Sequence, residues 1–188
     1  MGDRKTEIID LAGDLIRTRG FDSFSYNDLS HTLGIRKASI HHHFPKKADL
    51  GQAFLERASQ TMETMIADLE SSRDSATTHL YRFIAMGNQL SAGCTKMCAI
   101  TSLQTDRRNI PEDMREQLMQ IELLELKYIT EVLRHGYTTG EMRFAGSIEA
   151  QAMVVLSAIK GAMQYSLNQG PEFFETSIQQ IMTLLEAN

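Results

Sequence analysis

Apolar residues recur at three- and four-residue spacing through most of this chain, broken at intervals by glycine, proline or short polar runs. That period builds amphipathic helices, and no stretch shows the strict alternation from which a half-buried sheet is made. Ile8, Leu11, Ala12, Leu15 and Ile16 form the first stripe, which ends at Arg17-Thr18-Arg19-Gly20 with cations in its last turn and glycine at the stop. Ser25 is the expected N-cap of the next helix, and Gly34 marks its turn. After Phe44-Pro45-Lys46-Lys47 a longer helix carries Leu50, Phe54, Met62, Met65, Ile66 and Leu69, until Ser71-Ser72-Arg73-Asp74-Ser75 breaks it. A helix over about 76–91 follows, Gly93 interrupts, and a shorter segment runs from Cys94 to about Gln104. Asn109-Ile110-Pro111-Glu112-Asp113 starts a long helix expected to stop at His135-Gly136. Ser147 leads into a helix reaching about 168, and Gly170-Pro171 opens the last one. The expectation is an all-α chain of about nine helices.

Composition narrows the setting. At 188 residues the chain can bury a substantial core. No apolar run approaches the roughly 20 residues that span a bilayer, and the charged start Met1-Gly2-Asp3-Arg4-Lys5 is no signal peptide. Two cysteines, Cys94 and Cys98, make no disulfide framework and fit a reduced compartment. A cytoplasmic, nucleoid-associated protein with no membrane partner is the expectation. The net charge of −5 is unevenly spread. Residues 1–47 hold eight Lys/Arg against six acids, a net +2, and the remainder eleven against eighteen, a net −7. A cationic head on an acidic body fits a chain that meets a polyanion at one end.

The head carries the motif. Ser25-Tyr26-Asn27-Asp28-Leu29-Ser30-His31-Thr32-Leu33-Gly34-Ile35-Arg36-Lys37-Ala38-Ser39-Ile40-His41-His42-His43-Phe44 reads as a helix, a glycine turn and a second short helix rich in cations and hydrogen-bonding groups. This is the layout of a helix-turn-helix, which lays its second helix in the DNA major groove. Leu29, Leu33, Ile35 and Ile40 supply its core contacts. Three consecutive histidines point about 100° apart on a helix and cannot converge on one ion, so no metal site is expected.

With its flanks Gly20-Phe21-Asp22-Ser23-Phe24 and Phe44-Pro45-Lys46-Lys47-Ala48-Asp49-Leu50, the motif closely resembles the N-terminal domain of the TetR (tetracycline repressor) family. The resemblance covers about the first 50 residues and implies a helix-turn-helix DNA-binding domain over 1–47. An effector-binding and dimerisation domain, a larger helical bundle, would follow over 48–188. It further implies that Ser25 and Tyr26 approach phosphates through their hydroxyls and the helix N-terminus. Arg36, Lys37, Ala38 and Ser39 would face base edges, with Arg36 or Lys37 reading guanine and Ala38 a thymine methyl. His41 and His42 lie further along, and Lys47, with Lys46 beside it, would clamp a phosphate. Many relatives carry tyrosine at the position of His41, so its phosphate contact here would acquire pH sensitivity.

A single head reads few base pairs, and such readers usually dimerise. Ala152, Val155, Ile159 and Met163 are expected to face the body core. Val154, Ala158, Gly161 and Tyr165 then form another flank, which Phe174, Ile178, Ile181 and Leu185 would complete into a four-helix bundle across a two-fold axis. Met62, Met65, Phe83, Met86, Met97, Cys98, Tyr128 and Val132 fall where similar proteins line an effector cavity, though such residues serve equally as core. Eleven methionines give adaptable packing, and no charged constellation identifies the ligand, so a mostly apolar small molecule is expected.

No Gly-rich phosphate loop, metal-ligand spacing or nucleophile–base arrangement argues for an enzyme, and no cofactor is expected. The leading expectation is a transcriptional repressor that binds a pseudo-palindromic duplex operator as a homodimer and is released by a small molecule. The alternative is a redox or electrophile sensor on the same scaffold. In it Cys94 and Cys98, four apart on a helix, share a face, and Lys96 or His79, if near, lowers a thiol pKa.

Overall fold

The computed structural model describes residues 3–93 and 95–186. Among them are nine helices: α1 (Arg4–Arg19), α2 (Tyr26–Leu33), α3 (Lys37–His43), α4 (Lys47–Ser71), α5 (Ala76–Leu90), α6 (Ala99–Thr105), α7 (Glu112–Thr139), α8 (Ile148–Gln169) and α9 (Pro171–Leu185). The described residues contain no strand, only an isolated bridge between Met142 and Glu186. The fold is all-α, as the periodicity requires. No helix among the described residues is long and apolar enough to cross a membrane.

The chain divides into two compact units. One takes in the chain as far as Gln60 together with Ala99–Ile121; the other takes in Thr61–Cys98 and the chain from Glu122 onward. The first holds α1, α2, α3 and α6. Its core gathers Ile8, Ala12 and Ile16 of α1, Leu29 of α2, Ile40 of α3 and Leu50 and Leu55 of α4, with Leu103 and Met114 from the later segment. Asp3 caps α1 by accepting the Lys5 N–H at 3.3 Å. Ser25 and Asp28 form a reciprocal capping box at α2, satisfying N–H groups that a helix start leaves without partners. Between α2 and α3 the chain turns at Gly34, whose left-handed backbone (φ 63°, ψ 31°) suits a residue with no Cβ.

The second unit is a helical bundle. Met62, Leu80, Phe83, Tyr128, Ile129, Val132 and Leu133 pack in one cluster with Val155, Ile159 and Met163 of α8 and Phe174, Ile178, Ile181 and Leu185 of α9. α8 lies along α9. The sequence placed the end of α7 at His135-Gly136, but the helix runs on to Thr139, and Gly140 (φ 81°) makes the stop. Gly136 is there for packing. A Cβ at that position would stand 2.7 Å from Met142 Sδ and 3.0 Å from the Ala76 side chain.

Two further expectations are corrected. Phe174, Ile178, Ile181 and Leu185 do not offer themselves to a partner, because each is buried in the core of its own unit. α9 has one broad apolar stripe and α8 needs it, so its outward face carries Phe173 and Leu184 instead. Cys98 is not on a helix either, since α6 begins at Ala99. Cys94 lies outside the described residues, so the shared helical face expected of the two cysteines does not arise for Cys98.

Candidate nucleic-acid interface

α3 is short, and one residue fixes which way it faces. Ile40 is fully buried, so the positions around it on the helix must look outward. Arg36, Lys37, Ala38, His41 and His42 are exposed and Ser39 is half-buried. Arg36 is the N-cap residue with extended backbone and makes no side-chain capping bond, which leaves its guanidinium free of that task. The result is a small exposed surface with two permanent cations, a methyl group and hydrogen-bonding rings. It has the chemistry to read base edges in a major groove.

His41 packs edge-on against Tyr26, ring centroids 4.8 Å apart, with its Nδ1 3.3 Å from the Pro45 carbonyl oxygen. His43 is half-buried and turns toward Phe44, at 6.4 Å between centroids. Among the described residues no group of three His, Cys, Asp or Glu side chains is arranged to hold a metal ion.

Three residues expected at phosphates are engaged within the unit. Tyr26 is buried, and its hydroxyl donates to the Phe44 carbonyl at 2.8 Å. Burial, reinforced by Asp49, pushes that phenol up to about 12. The ring of Tyr26 therefore joins α2 to the end of α3 rather than reaching outward. Ser25 is exposed, but its hydroxyl donates to Asp28 at 2.7 Å and accepts the Asn27 N–H at 3.2 Å. Lys47 is half-buried, donates to the Phe21 carbonyl and lies over the rings of Phe24 and Phe21, 4.2 and 4.7 Å from their centroids. Burial lowers its pKa, against the pull of Asp22, Asp106 and Asp28. Its neighbour Lys46 is exposed; its N–H donates to Asp49 at 2.7 Å and so starts α4.

In the second unit Met62, Phe83, Tyr128 and Val132, expected around an effector, are buried in the core, while Met65, Met86 and Cys98 pack partly buried against it. Met97 is half-buried. Tyr128 stacks on Phe83 at 5.7 Å and donates to the His79 carbonyl at 3.0 Å. His79 is itself buried, with Nε2 2.8 Å from the Ser72 hydroxyl. An open cleft of about 300 Å³ elsewhere in this unit is lined by Ile66, Leu69, Glu70, Glu131, Arg134, His135 and Thr138, none of them in the expected set.

Cys98 meets a cation that the sequence did not single out. Lys160 Nζ, on α8, lies 3.4 Å from Cys98 Sγ and donates to Glu125 Oε1 at 2.5 Å. Lys160 and Glu125 are 21% and 9% exposed, so this is a largely desolvated pair. Burial lowers the ammonium's pKa, but Cys98 and Glu125 together outweigh it and hold the group above its ordinary value. The 62-residue separation of Cys98 and Lys160 leaves no mark on local pattern.

Comparison with known proteins places these features. Residues 8–54 match the family model for bacterial regulatory proteins of the tetR family. A TetR-family transcriptional regulator from Agrobacterium tumefaciens has a crystal structure that superposes with a TM-score of 0.87 and 29% identity, covering 97% of each chain. The HTH-type transcriptional repressor NemR of Escherichia coli K12 is 22% identical, over 97% of this chain and 94% of that protein. The crystal structure of E. coli NemR in its reduced form shares the fold, with a TM-score of 0.80, 21% identity and 98% of each chain covered.

Proposed function

We propose that this chain, a member of the TetR family of DNA-binding transcriptional regulators, is a dimeric repressor released from a pseudo-palindromic operator by a small, mostly apolar molecule. The observation that carries the reading is the outward row on α3. Arg36, Lys37, Ala38 and Ser39 stand around a buried Ile40 on a unit in which three candidate phosphate ligands, Ser25, Tyr26 and Lys47, are used internally. Sequence recognition then falls to the start of α3, with exposed Lys46, His41 and His42 as the available backbone contacts.

The dimer face in this proposal is the outer flank of α8 with the outer edge of α9. Val154 and Tyr165 are 61% and 64% exposed, and a Cβ on Gly161 would meet nothing within 4 Å. Tyr165 stacks on Phe173 at 5.8 Å, and Leu184 is exposed beyond it. With Ala158 these form an apolar surface of the kind that two copies bury isologously. The effector is accommodated within the second unit's core, where methionines can repack.

Selection of duplexes from a random pool tests the whole reading. The expected product is an inverted repeat with half-site centres about one helical turn, or a multiple, apart. A pool that yields no repeat, or half-sites with no fixed spacing, sinks it.

The contact of Lys160 with Cys98 supports a second reading, in which modification of the Cys98 thiol replaces ligand binding. Operator release by diamide in wild type and in Cys98→Ser separates the two. Release lost in the variant supports the thiol reading, and unchanged release removes it.

A further inference from the structure

The turn between α1 and α2 is gripped from two sides by side chains outside it. The Phe21 N–H donates to Asp106 Oδ2 at 2.7 Å, and the Phe21 carbonyl accepts from Lys47 Nζ. Both polar groups of one peptide residue are thus held, one by a carboxylate 85 residues downstream and one by an ammonium 26 downstream. Asp106 belongs to the turn after α6 and is itself anchored. Its N–H donates to the Ser102 carbonyl at 3.1 Å, and its own carbonyl accepts from Asn109 at 2.8 Å and Ile110 at 3.2 Å. One turn earlier, the buried Ser102 hydroxyl donates to the Ile16 carbonyl at 2.8 Å, in the last turn of α1. Asp106 Oδ2 also lies within 2.9 Å of where a Cβ on Gly20 would stand, so carboxylate and turn are in direct contact.

These contacts bear on α3. Phe21 is buried and meets Phe24 edge-on at 5.9 Å, and Phe24 directly precedes the Ser25 capping box of α2. The α1–α2 turn therefore sets how α2 leaves α1, and Tyr26 carries that setting on to the end of α3 through Phe44. Base contacts demand closer placement of donors and acceptors than phosphate contacts do, because base edges present directional pairs.

We propose that Asp106, outside the helix-turn-helix, is a positioning residue for sequence-specific DNA binding: by holding the Phe21 N–H while Lys47 holds the Phe21 carbonyl, it fixes the orientation of the recognition helix. The proposal rests on the DNA-binding reading above and adds to it a residue that touches no DNA. Electrostatics alone makes the opposite prediction. Removing an acid that lies against the cationic head should tighten binding to a polyanion.

The test compares wild type, Asp106→Ala and Asp106→Asn on a duplex obtained by selection and on a scrambled duplex of equal length. Asp106→Ala should bind the selected duplex about tenfold or more weakly, since a charge-assisted bond is lost. The ratio of selected to scrambled affinity should fall, and the salt slope should stay unchanged because no phosphate contact is removed. Asp106→Asn keeps an acceptor for the Phe21 N–H but not its charge, so its affinity ratio and its Phe21 amide protection should fall between those of Asp106→Ala and wild type. Equal or tighter binding by Asp106→Ala overturns the proposal while leaving the DNA reading intact. If wild type itself selects no duplex, both fall. Should Asp106→Ala fail to fold, hydrogen exchange in Asp106→Asn decides. Faster exchange at the Phe21 amide with a lower affinity ratio supports positioning, and wild-type values of both overturn it.

Discussion

One set of cations in the first unit and one lysine in the second are handled in opposite ways. In the first, Arg36, Lys37 and Lys46 stand exposed on or beside α3, hydrated and available to an external anion. In the second, Lys160 is drawn into a largely desolvated contact with Glu125 and Cys98. An exposed cation costs nothing to keep and gains free energy only when a polyanion arrives. A buried one must be matched by its own protein, and its partners are then bound to its fate. Lys47 falls between the two: counted among the head's cations by sequence, it is half-buried and holds the Phe21 carbonyl. The lesson is that position in a motif does not decide a lysine's role; the carbonyls and rings around it do.

The largest effect expected of this contrast is in the second unit. Glu125→Ala leaves Lys160 without its carboxylate and should destabilise the protein by about 3 kcal/mol, read from urea unfolding. A loss under about 1 kcal/mol would put the pair among ordinary surface ion pairs and erase the contrast. Next comes Ser25, whose hydroxyl caps α2 instead of waiting for a phosphate. Ser25→Ala should cost about 1 kcal/mol in the DNA-free protein, and no change in the unfolding midpoint would return Ser25 to a phosphate role.

A pH effect follows from His79. Burial, aided by Arg82, holds its pKa below the ordinary 6.5. The unfolded chain therefore takes up a proton at a pH where the folded one does not. The stability His79 contributes is complete above the ordinary value and is lost as pH falls through it toward the depressed folded value. His79→Gln should show a flatter decline in unfolding midpoint across that window, and an identical decline would assign it to other groups. The smallest expected change is at Lys46. Lys46→Ala should lower the slope of log affinity against log salt by about 0.9 if the side chain meets one phosphate. An unaltered slope would place Lys46 off the DNA.

Much of the fold was legible because its signals are local. The stripe of α1, the Ser25–Asp28 cap and the Gly34 turn all lie within a few residues of what they determine. Where local signals were ambiguous the reading failed for a physical reason. His135-Gly136 resembles a helix stop, yet Gly136 answers to Met142 and Ala76, which close against it only in the folded bundle. The stripe of α9 is plainly apolar in sequence, but periodicity cannot say whether a stripe faces its own core or a second copy. Here its own core takes Phe174, Ile178, Ile181 and Leu185. At the candidate interface the exposed Arg36, Lys37 and His42 were readable, while the inward turn of Tyr26 depends on the Phe44 carbonyl 18 residues away. Lys160 beside Cys98 and Asp106 beside Phe21 are pairings of 62 and 85 residues' separation, beyond the reach of any spacing rule.

The central claim is that the start of α3 reads sequence. The direct measurement is the affinity ratio between a selected and a scrambled duplex for wild type and for the double substitution Arg36→Ala, Lys37→Ala. Each base contact is worth about 1–3 kcal/mol of discrimination, so the ratio should collapse by at least about tenfold while unfolding stability is unchanged. A double variant that keeps the wild-type ratio would contradict the account.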